Sequence, residues 1–464
     1  MLAPGRDVMS AMNLPNYFLA DLPAGAELTP GLIAEACQTL KRNREQFLAG
    51  RATESIIHLL DKLGAEWLSP DFPFRRLALD LGPGATGFSA AVLAAGLDQF
   101  FKQLTAENLT DLLRQELGDD RRLDSFQTEM LAGGKRAAMA HGPILLAQFA
   151  PGGIPNPVLT EMVLGLLLRS AQFVKCATSS ALIPRLFAHS LYDADHKLGS
   201  CLEVAEWKGG AEQLESALFA ETDCVVATGS DDTLEAIRNR IPRKTRFVGY
   251  GTRVSFGYIT RDALEQDAAA VVRKAATDVT AWNQRGCLSP HVIYVEDGGG
   301  MGETFAEQLA SELESTERSF PRGTLPAADA AAIATRRSFH EVRAAHSLGT
   351  KMWTSPQSTA WTVVWENDER FQLSCLNRFI YIKSVADLNH ALQGAELVRD
   401  KVSTVGLAGT ATQAPELALR FARWGARRIC PLGRMQDPPL AWRHDGRPPL
   451  GDLVIWTDWE KEKP

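Results

Sequence analysis

Between Gly142 and Gly251 short apolar runs alternate with stretches of helical periodicity, and this alternation admits few folds. Ile144 to Phe149 is a compact apolar run, followed by the Pro-Gly loop Pro151 to Pro157 and a helix through Arg169. Phe173-Val174-Lys175, Cys201 to Ala205, Cys224 to Ala227 and Phe247-Val248 are the next strand candidates. Between them a helix is predicted from Pro184 to Leu191, since proline suits a first helical turn, and further helices over 214–220 and 232–239. Apolar runs separated by helices predict an α/β fold with a parallel, doubly wound sheet and right-handed crossovers. Ligands of such sheets bind at the carboxyl ends of the strands. The residues that follow each strand are therefore the ones to inspect.

The rest of the chain divides around this region. Residues 1–84 mix short helical patterns with Pro and Gly and carry no evident chemistry. The first α/β region spans 85–250 and opens with a helical cover, in which Val92, Leu93, Leu97, Phe100, Phe101 and Leu104 recur at helical spacing. A long amphipathic helix is predicted over 261–284, with Leu264, Ala268, Val271, Ala275, Val279 and Trp282 forming one stripe. Gly286 stands where that helix should end, Cys287 follows at once, and Val292 to Val295 is the next strand. This second α/β region covers 251–425, and a Pro- and Trp-rich tail covers 426–464.

Composition narrows the function. With 464 residues, 45% apolar and 23% charged, the chain is of multidomain globular type. The net charge of -7, with both signs interspersed, disfavours a nucleic-acid partner. The longest apolar run near a helix, Met162 to Leu168, is far short of the ~20 residues that span a bilayer. The start, Met1 to Asp7, lacks the basic-then-apolar pattern of a secretory signal. Seven cysteines without C-x-x-C spacing argue against a disulfide framework or structural zinc, so a cytoplasmic location and no metal are expected.

One of those cysteines lies in a suggestive place. Asn283-Gln284-Arg285-Gly286-Cys287-Leu288-Ser289-Pro290 is a turn between a long helix and a strand, where a thiol can meet a ligand. A nucleophilic thiolate needs a lowered pKa, which backbone N–H groups or a cation such as Arg285 can supply. The other reading of the same residues is an inert, half-buried thiol.

Cys287-Leu288-Ser289-Pro290 after an Asn-Gln helix end resembles the nucleophile segment of the LuxC-type acyl-CoA reductases, a branch of the aldehyde dehydrogenase superfamily. Other segments follow in the family's order over roughly residues 85 to 460. Pro151-Gly152-Gly153-Ile154-Pro155 resembles a Gly-Asn-x-Pro loop, Phe173-Val174-Lys175 a strand ending in lysine, and Ala227-Thr228-Gly229-Ser230 a Thr-Gly-Ser turn. Phe247 to Gly251, Thr404-Val405-Gly406, Pro431 to Gln436 and Trp442 to Gly446 are similar to later segments.

The resemblance implies an aldehyde dehydrogenase-like fold, with a dinucleotide-binding domain at 85–250 and a catalytic cysteine domain at 251–425. It implies reduction of a fatty acyl thioester, from acyl-CoA or an acyl-carrier protein, to the aldehyde through an S-acyl Cys287. Lys175, Thr228, Gly229, Ser230 and Gly249 are then cofactor-binding residues. Thr178 stands where NAD-preferring relatives often carry a ribose-binding glutamate, so NADPH is expected over NADH. Gly249 matches the glutamate that activates water in aldehyde-oxidising members, which favours reduction over hydrolysis. Gly153 replaces the oxyanion asparagine. Asn156 is the candidate substitute, against a plain turn-stabilising role, and His444 with Asp445 is a candidate proton relay, against a surface turn. A homo-oligomer is implied, as is a complex with an acyl-protein synthetase. Two alternatives stay open: a cysteine acyltransferase or thioester-processing protein without hydride transfer, and a silent acyl-binding partner.

Gly82-Pro83-Gly84-Ala85-Thr86-Gly87 also fits G-x-G-x-x-G, but Pro83 would stiffen the turn and no βαβ unit follows.

Overall fold

The structure, a computed structural model, describes residues 14–23, 25–131, 134–177 and 180–460. Thr178, named above as a cofactor residue, lies outside the described residues. The strands in chain order are β1 (Gln127–Leu131), β2 (Gly134–His141), β3 (Leu145–Phe149), β4 (Ala171–Cys176), β5 (Leu202–Glu206), β6 (Cys224–Thr228) and β7 (Arg246–Tyr250). There follow β8 (Val254–Ile259), β9 (Pro290–Glu296), β10 (Thr350–Thr354), β11 (Thr362–Glu366), β12 (Phe379–Val385), β13 (Val402–Ala408), β14 (Arg428–Pro431) and β15 (Ile455–Glu460). The chain forms two compact units. The first comprises Met1–Thr86, Leu97–Gly251 and Pro439–Pro464, the second Gly87–Gly96 and Thr252–Pro438.

The first unit is built on a parallel sheet of order β5-β4-β3-β6-β7. β3 and β4 are buried along their whole length, as strands covered by helices on both faces must be. The N-terminal segment is helical, with α1 (Pro30–Asn43), α2 (Thr53–Leu68), α3 (Pro73–Thr86), α4 (Ala90–Phe101) and α5 (Ala106–Leu117). The Gly82–Gly87 motif falls at the end of α3, with Pro83 inside the helix, and so forms no phosphate loop. The crossovers are α6 (Asn156–Leu167), α7 (Leu182–Ala194), α8 (Glu212–Glu221) and α9 (Asp231–Arg238). α7 begins two residues before Pro184, which still sits in the first turn, where its missing N–H leaves no bond unmade. Strands β3, β4 and β5 build outward in one direction, and the chain then returns to the other side of β3 to lay down β6 and β7. That reversal makes the carboxyl ends of β3 and β6 the switch point, where a doubly wound sheet leaves a crevice. β1, β2 and β15 form a separate antiparallel sheet of order β1-β2-β15.

The second unit holds a seven-stranded sheet, β10-β11-β12-β9-β8-β13-β14, parallel except for β10. Its longer helices are α10 (Arg261–Thr280), α11 (Met301–Ser319), α12 (Ala327–His346) and α13 (Ala414–Trp424). Side chains alternate across β9: Ile293 and Val295 join the core with Val271, Ala275, Phe305 and Leu309, whereas Val292 and Tyr294 join Phe256, Ile333 and Phe421. Each aliphatic side chain so enclosed contributes roughly 1.5–3 kcal/mol. Among the described residues no helix is long and apolar enough to cross a membrane.

Candidate active site

Cys287 sits on a turn whose backbone is fixed from both directions. α10 stops at Thr280 rather than running on to residue 284, because Trp282, Asn283 and Gln284 take φ of +48°, +51° and +62°. Left-handed backbone costs an L-residue about 1–2 kcal/mol, so three in succession need strong side-chain anchors. Trp282 supplies one by burial: its ring packs where Gly96 has no side chain, a Cβ there lying 2.0 Å from the indole, and edge-on to Phe88 at 5.2 Å. The buried Asn283 amide donates to the Arg322 carbonyl at 2.8 Å and accepts from Arg378 Nε at 3.1 Å. Gln284 Nε2 donates to the carbonyls of Pro290 at 2.7 Å and Phe379 at 2.9 Å. Arg378 ends a second left-handed triplet, Leu376-Asn377-Arg378, and is held by Glu317 at 2.6 Å and the Phe320 carbonyl at 2.9 Å. Two strained segments thus brace each other.

The turn itself is closed by the Ser289 N–H donating to the Gly286 carbonyl at 3.0 Å. Gly286 is required by crowding: a Cβ there would lie 2.2 Å from the Gln436 amide, which donates to Ser289 Oγ at 2.6 Å. Ser255 Oγ, at the start of β8, donates to the Cys287 carbonyl at 2.8 Å. Leu288, Ser289 and Pro290 are buried while Cys287 is exposed. Among the described residues it is the one exposed thiol. Burial pushes Cys37, Cys176, Cys201 and Cys224 up to about 12 and Cys430 up to about 11, far from ionising at neutral pH. Arg285, the expected cationic neighbour, turns its guanidinium over the Phe88 ring at 4.8 Å.

In the first unit, Lys175 is the penultimate residue of β4, with its ammonium 5.9 Å from the ring centroids of both Phe149 and Trp207. Burial holds its pKa below the usual lysine value, opposed by the carboxylates of Glu215 and Glu206. Thr228 ends β6, and Ser230 caps α9 by accepting from the Thr233 N–H at 3.3 Å. The Gly229 N–H is committed to the Tyr250 carbonyl at 3.1 Å, so the donors this turn could offer a phosphate would be the N–H groups at the start of α9. Asp231 and Asp232 occupy that same first turn. Gly249, in β7, accepts from Arg447 at 3.3 Å through its carbonyl and offers no side chain to act as a base. A buried cation, a hydroxyl and a helix N-terminus gathered at the carboxyl ends of β4 and β6 fit a dinucleotide. Lys175 and Thr228 would hold it, with α9 facing its pyrophosphate.

Asn156 is the first residue of α6, immediately after the loop that carries the exposed Gly152 and Gly153. His444 stacks flat on Tyr250, with centroids 4.1 Å apart and planes 7° apart, and Asp445 beside it is buried with φ of +54°. The carboxyl ends of β6 and β7 therefore gather Thr228, Gly249, Tyr250 and His444. Sequence reasoning missed a member of this group, Glu161 on α6. The Thr228 hydroxyl donates to Glu161 Oε1 at 3.3 Å. Burial, offset by that bond, pushes the carboxyl up to about 8. A lone acid between Leu159 and Met162 in an otherwise apolar helix was the available signal. Ser255 and Gln436 were also missed; nothing in their spacing marks them, since they reach the thiol turn from distant strands and loops.

Comparison with known proteins accords with this geometry. No curated protein matches the chain. Among solved structures, a NAD-dependent benzaldehyde dehydrogenase from Corynebacterium glutamicum is 11% identical, with 94% of this chain and 91% of that one covered and a TM-score of 0.69. An NADP-dependent glyceraldehyde-3-phosphate dehydrogenase from Bacillus halodurans is 13% identical, with 94% and 92% covered and a TM-score of 0.68. Proline utilization A from Bradyrhizobium japonicum, 14% identical with a TM-score of 0.71, is matched over 94% of this chain but only 45% of its own length. The fold is that of the aldehyde dehydrogenases. The family model described as acyl-CoA reductase (LuxC) matches residues 48–456, and the chain belongs to that family.

Proposed function

We propose that this enzyme reduces a fatty acyl thioester, carried on coenzyme A or on an acyl-carrier protein, to the aldehyde with NADPH through an S-acyl Cys287. The observation that carries the proposal is the exposed Cys287 thiol on a doubly braced turn, against six cysteines that are buried or half-buried. The Cys287 thiolate attacks the carbonyl carbon, and the carrier thiol leaves with a proton that His444 relays. Covalent capture divides one difficult displacement into two easier steps. NADPH, when bound, supplies the hydride that reduces the S-acyl group. The resulting oxyanion is held by the Cys287 N–H and the Asn156 amide, then collapses to the aldehyde and returns the thiolate. In sum, thioester, NADPH and a proton give aldehyde, thiol and NADP+. Gly249 in place of a base leaves the S-acyl group unchallenged by activated water.

NADPH is supported by Lys175, a cation at the end of β4. NADH is the second reading, favoured by Glu206, whose carboxylate acts on Lys175 from the end of β5 and would repel a 2′-phosphate. A cytoplasmic location, a homo-oligomer and an acyl-protein synthetase as partner complete the proposal.

The test mixes enzyme, acyl-CoA and either NADPH or NADH, following nicotinamide absorbance together with thiol release. A reductase gives both signals, an acyltransferase only thiol release, and a silent acyl-binding protein neither. Cys287→Ala is expected to abolish both; turnover that survives it removes this residue from the mechanism.

A further inference from the structure

The thiol turn of the second unit is bordered by arginines that the nearby acids do not balance. Asn283, in that turn, donates to the Arg322 carbonyl at 2.8 Å and accepts from Arg378 Nε at 3.1 Å. Both arginines are buried, and Arg378 Nη2 and Arg322 Nε have no hydrogen-bond partner. The positive charge of Arg322 acts on Arg378, and that of Arg337, on α12, acts on Arg322. Arg336 and Arg337 in turn act on Cys375, which shares a loop with Arg378. Arg337 spends its guanidinium on neutral oxygens of Ser355, Ser358, Trp361 and Thr362. The carboxylates that act on Arg378, Arg322 and Arg337 are Glu317 and Glu341, whereas Asp329 acts on Arg285 and Cys375. Glu366 and Asp368, behind this row, are taken up by Lys383 and Arg343.

Arg336 is the exposed member of the row. Its Nη1 donates to the hydroxyl of the buried Tyr381 at 3.1 Å. That bond holds the guanidinium by one corner and leaves its Nε–Nη2 edge, which can grip a phosphate through two parallel bonds. We infer that Arg336, backed by the positive charge of Arg322, Arg337 and Arg378, binds a phosphate group of coenzyme A, so that the acyl donor is acyl-CoA. This rests on the reading of Cys287 as the thiol that accepts the acyl group. In such a donor the thioester stands at one end of a flexible pantetheine arm, and the diphosphate and 3′-phosphate stand beyond the other. The second unit has a matching separation. Asp329, whose charge acts on Arg285 beside the thiol, precedes Arg336 by seven residues of α12, about 10 Å along the axis. The next exposed side chains of α12 are Ser338, Phe339, Glu341 and Val342, not the run of cations that an acidic carrier protein would require.

The experiment compares thioesters of one fatty acid: acyl-CoA, and acyl-pantetheine, which lacks every phosphate. kcat/KM is measured for each, with the reduced nicotinamide cofactor saturating, in wild type and in Arg336→Gln. Wild type is expected to prefer acyl-CoA by about tenfold or more, the scale of a charge-assisted phosphate contact. Salt is expected to weaken that preference by screening. Arg336→Gln is expected to reduce it to about threefold or less, through KM rather than kcat. Equal kcat/KM for the two thioesters in wild type overturns the inference, and that comparison requires no variant to fold. An undiminished preference in Arg336→Gln overturns it too, as does a loss confined to the KM of the nicotinamide cofactor, which would give Arg336 to the dinucleotide. Faster reduction of the same acyl group from an acyl-carrier protein than from coenzyme A also overturns it. Wild-type protein that neither reduces these thioesters nor releases their thiols instead overturns the function proposed above, and the inference with it.

Discussion

Gly286 shows how a single missing atom can hold the turn that carries Cys287. The space for its Cβ is filled by the Gln436 amide, and that amide fixes Ser289 two residues beyond the thiol. Gly286→Ala must displace Gln436 or tilt the turn. A shift of about 1 Å in a reacting group costs on the order of 10²-fold in rate, so kcat is expected to fall by about that much with little change in melting temperature. Alkylation of Cys287 by iodoacetamide reports the turn directly and is expected to change in parallel. An unaltered kcat would mean the turn tolerates the methyl group. At this scale the sequence was only partly legible. Gly286 was read as the end of the long helix, which stops earlier, at Thr280; what requires glycine there is Gln436, some 150 positions away, and no local pattern encodes that. Cys287 was identifiable because a chain of ordered segments resembled a family, whereas Glu161 passed as one polar residue in an apolar helix.

Among the elements, the strands of the parallel sheet were the most legible, because strands buried on both faces must be apolar throughout and stand out from amphipathic helices. β15 escaped for the opposite reason: all six of its residues are exposed, so neither burial nor alternation marks it. The end of α10 escaped because apolar periodicity continues through Trp282 while the backbone has already turned left-handed, and periodicity is blind to the sign of φ. The element whose chemistry is least settled by its sequence is α9. Its N-terminus offers N–H donors and a favourable dipole, yet Asp231 and Asp232 stand in that first turn. Asp232→Asn removes one negative charge without removing a donor. Dinucleotide affinity is expected to rise by about two- to fivefold at low salt, and the gain to vanish near 0.5 M salt, where the Debye length falls to a few ångströms. A gain that persists at high salt would assign the effect to a direct contact.

For the molecule as a whole, several buried carboxyls set how stability responds to pH. Burial pushes Glu161 and Glu203 up to about 8 and Asp278 up to about 7, despite two backbone N–H bonds to each of the latter two. In the unfolded chain such groups ionise near 4. Below that pH both states hold their protons, and the folded protein has its full advantage from these groups. As pH rises from about 4 to 8 the unfolded chain releases protons that the folded one retains, so stability declines across that window. Glu203→Gln is expected to flatten the decline, leaving the variant more stable than wild type at pH 8.5 by roughly 2–4 kcal/mol. Urea unfolding at pH 5 and pH 8.5 measures the difference, and equal slopes for the two proteins would show that Glu203 ionises normally.

Because only one of the seven thiols is exposed, a thiol-directed electrophile in modest excess will mark each polypeptide once. That stoichiometry gives a count of competent molecules in any preparation, independent of substrate. It also makes that thiol vulnerable: among the cysteines, a mild oxidant such as peroxide meets Cys287 first, and under the proposed mechanism its oxidation would stop turnover.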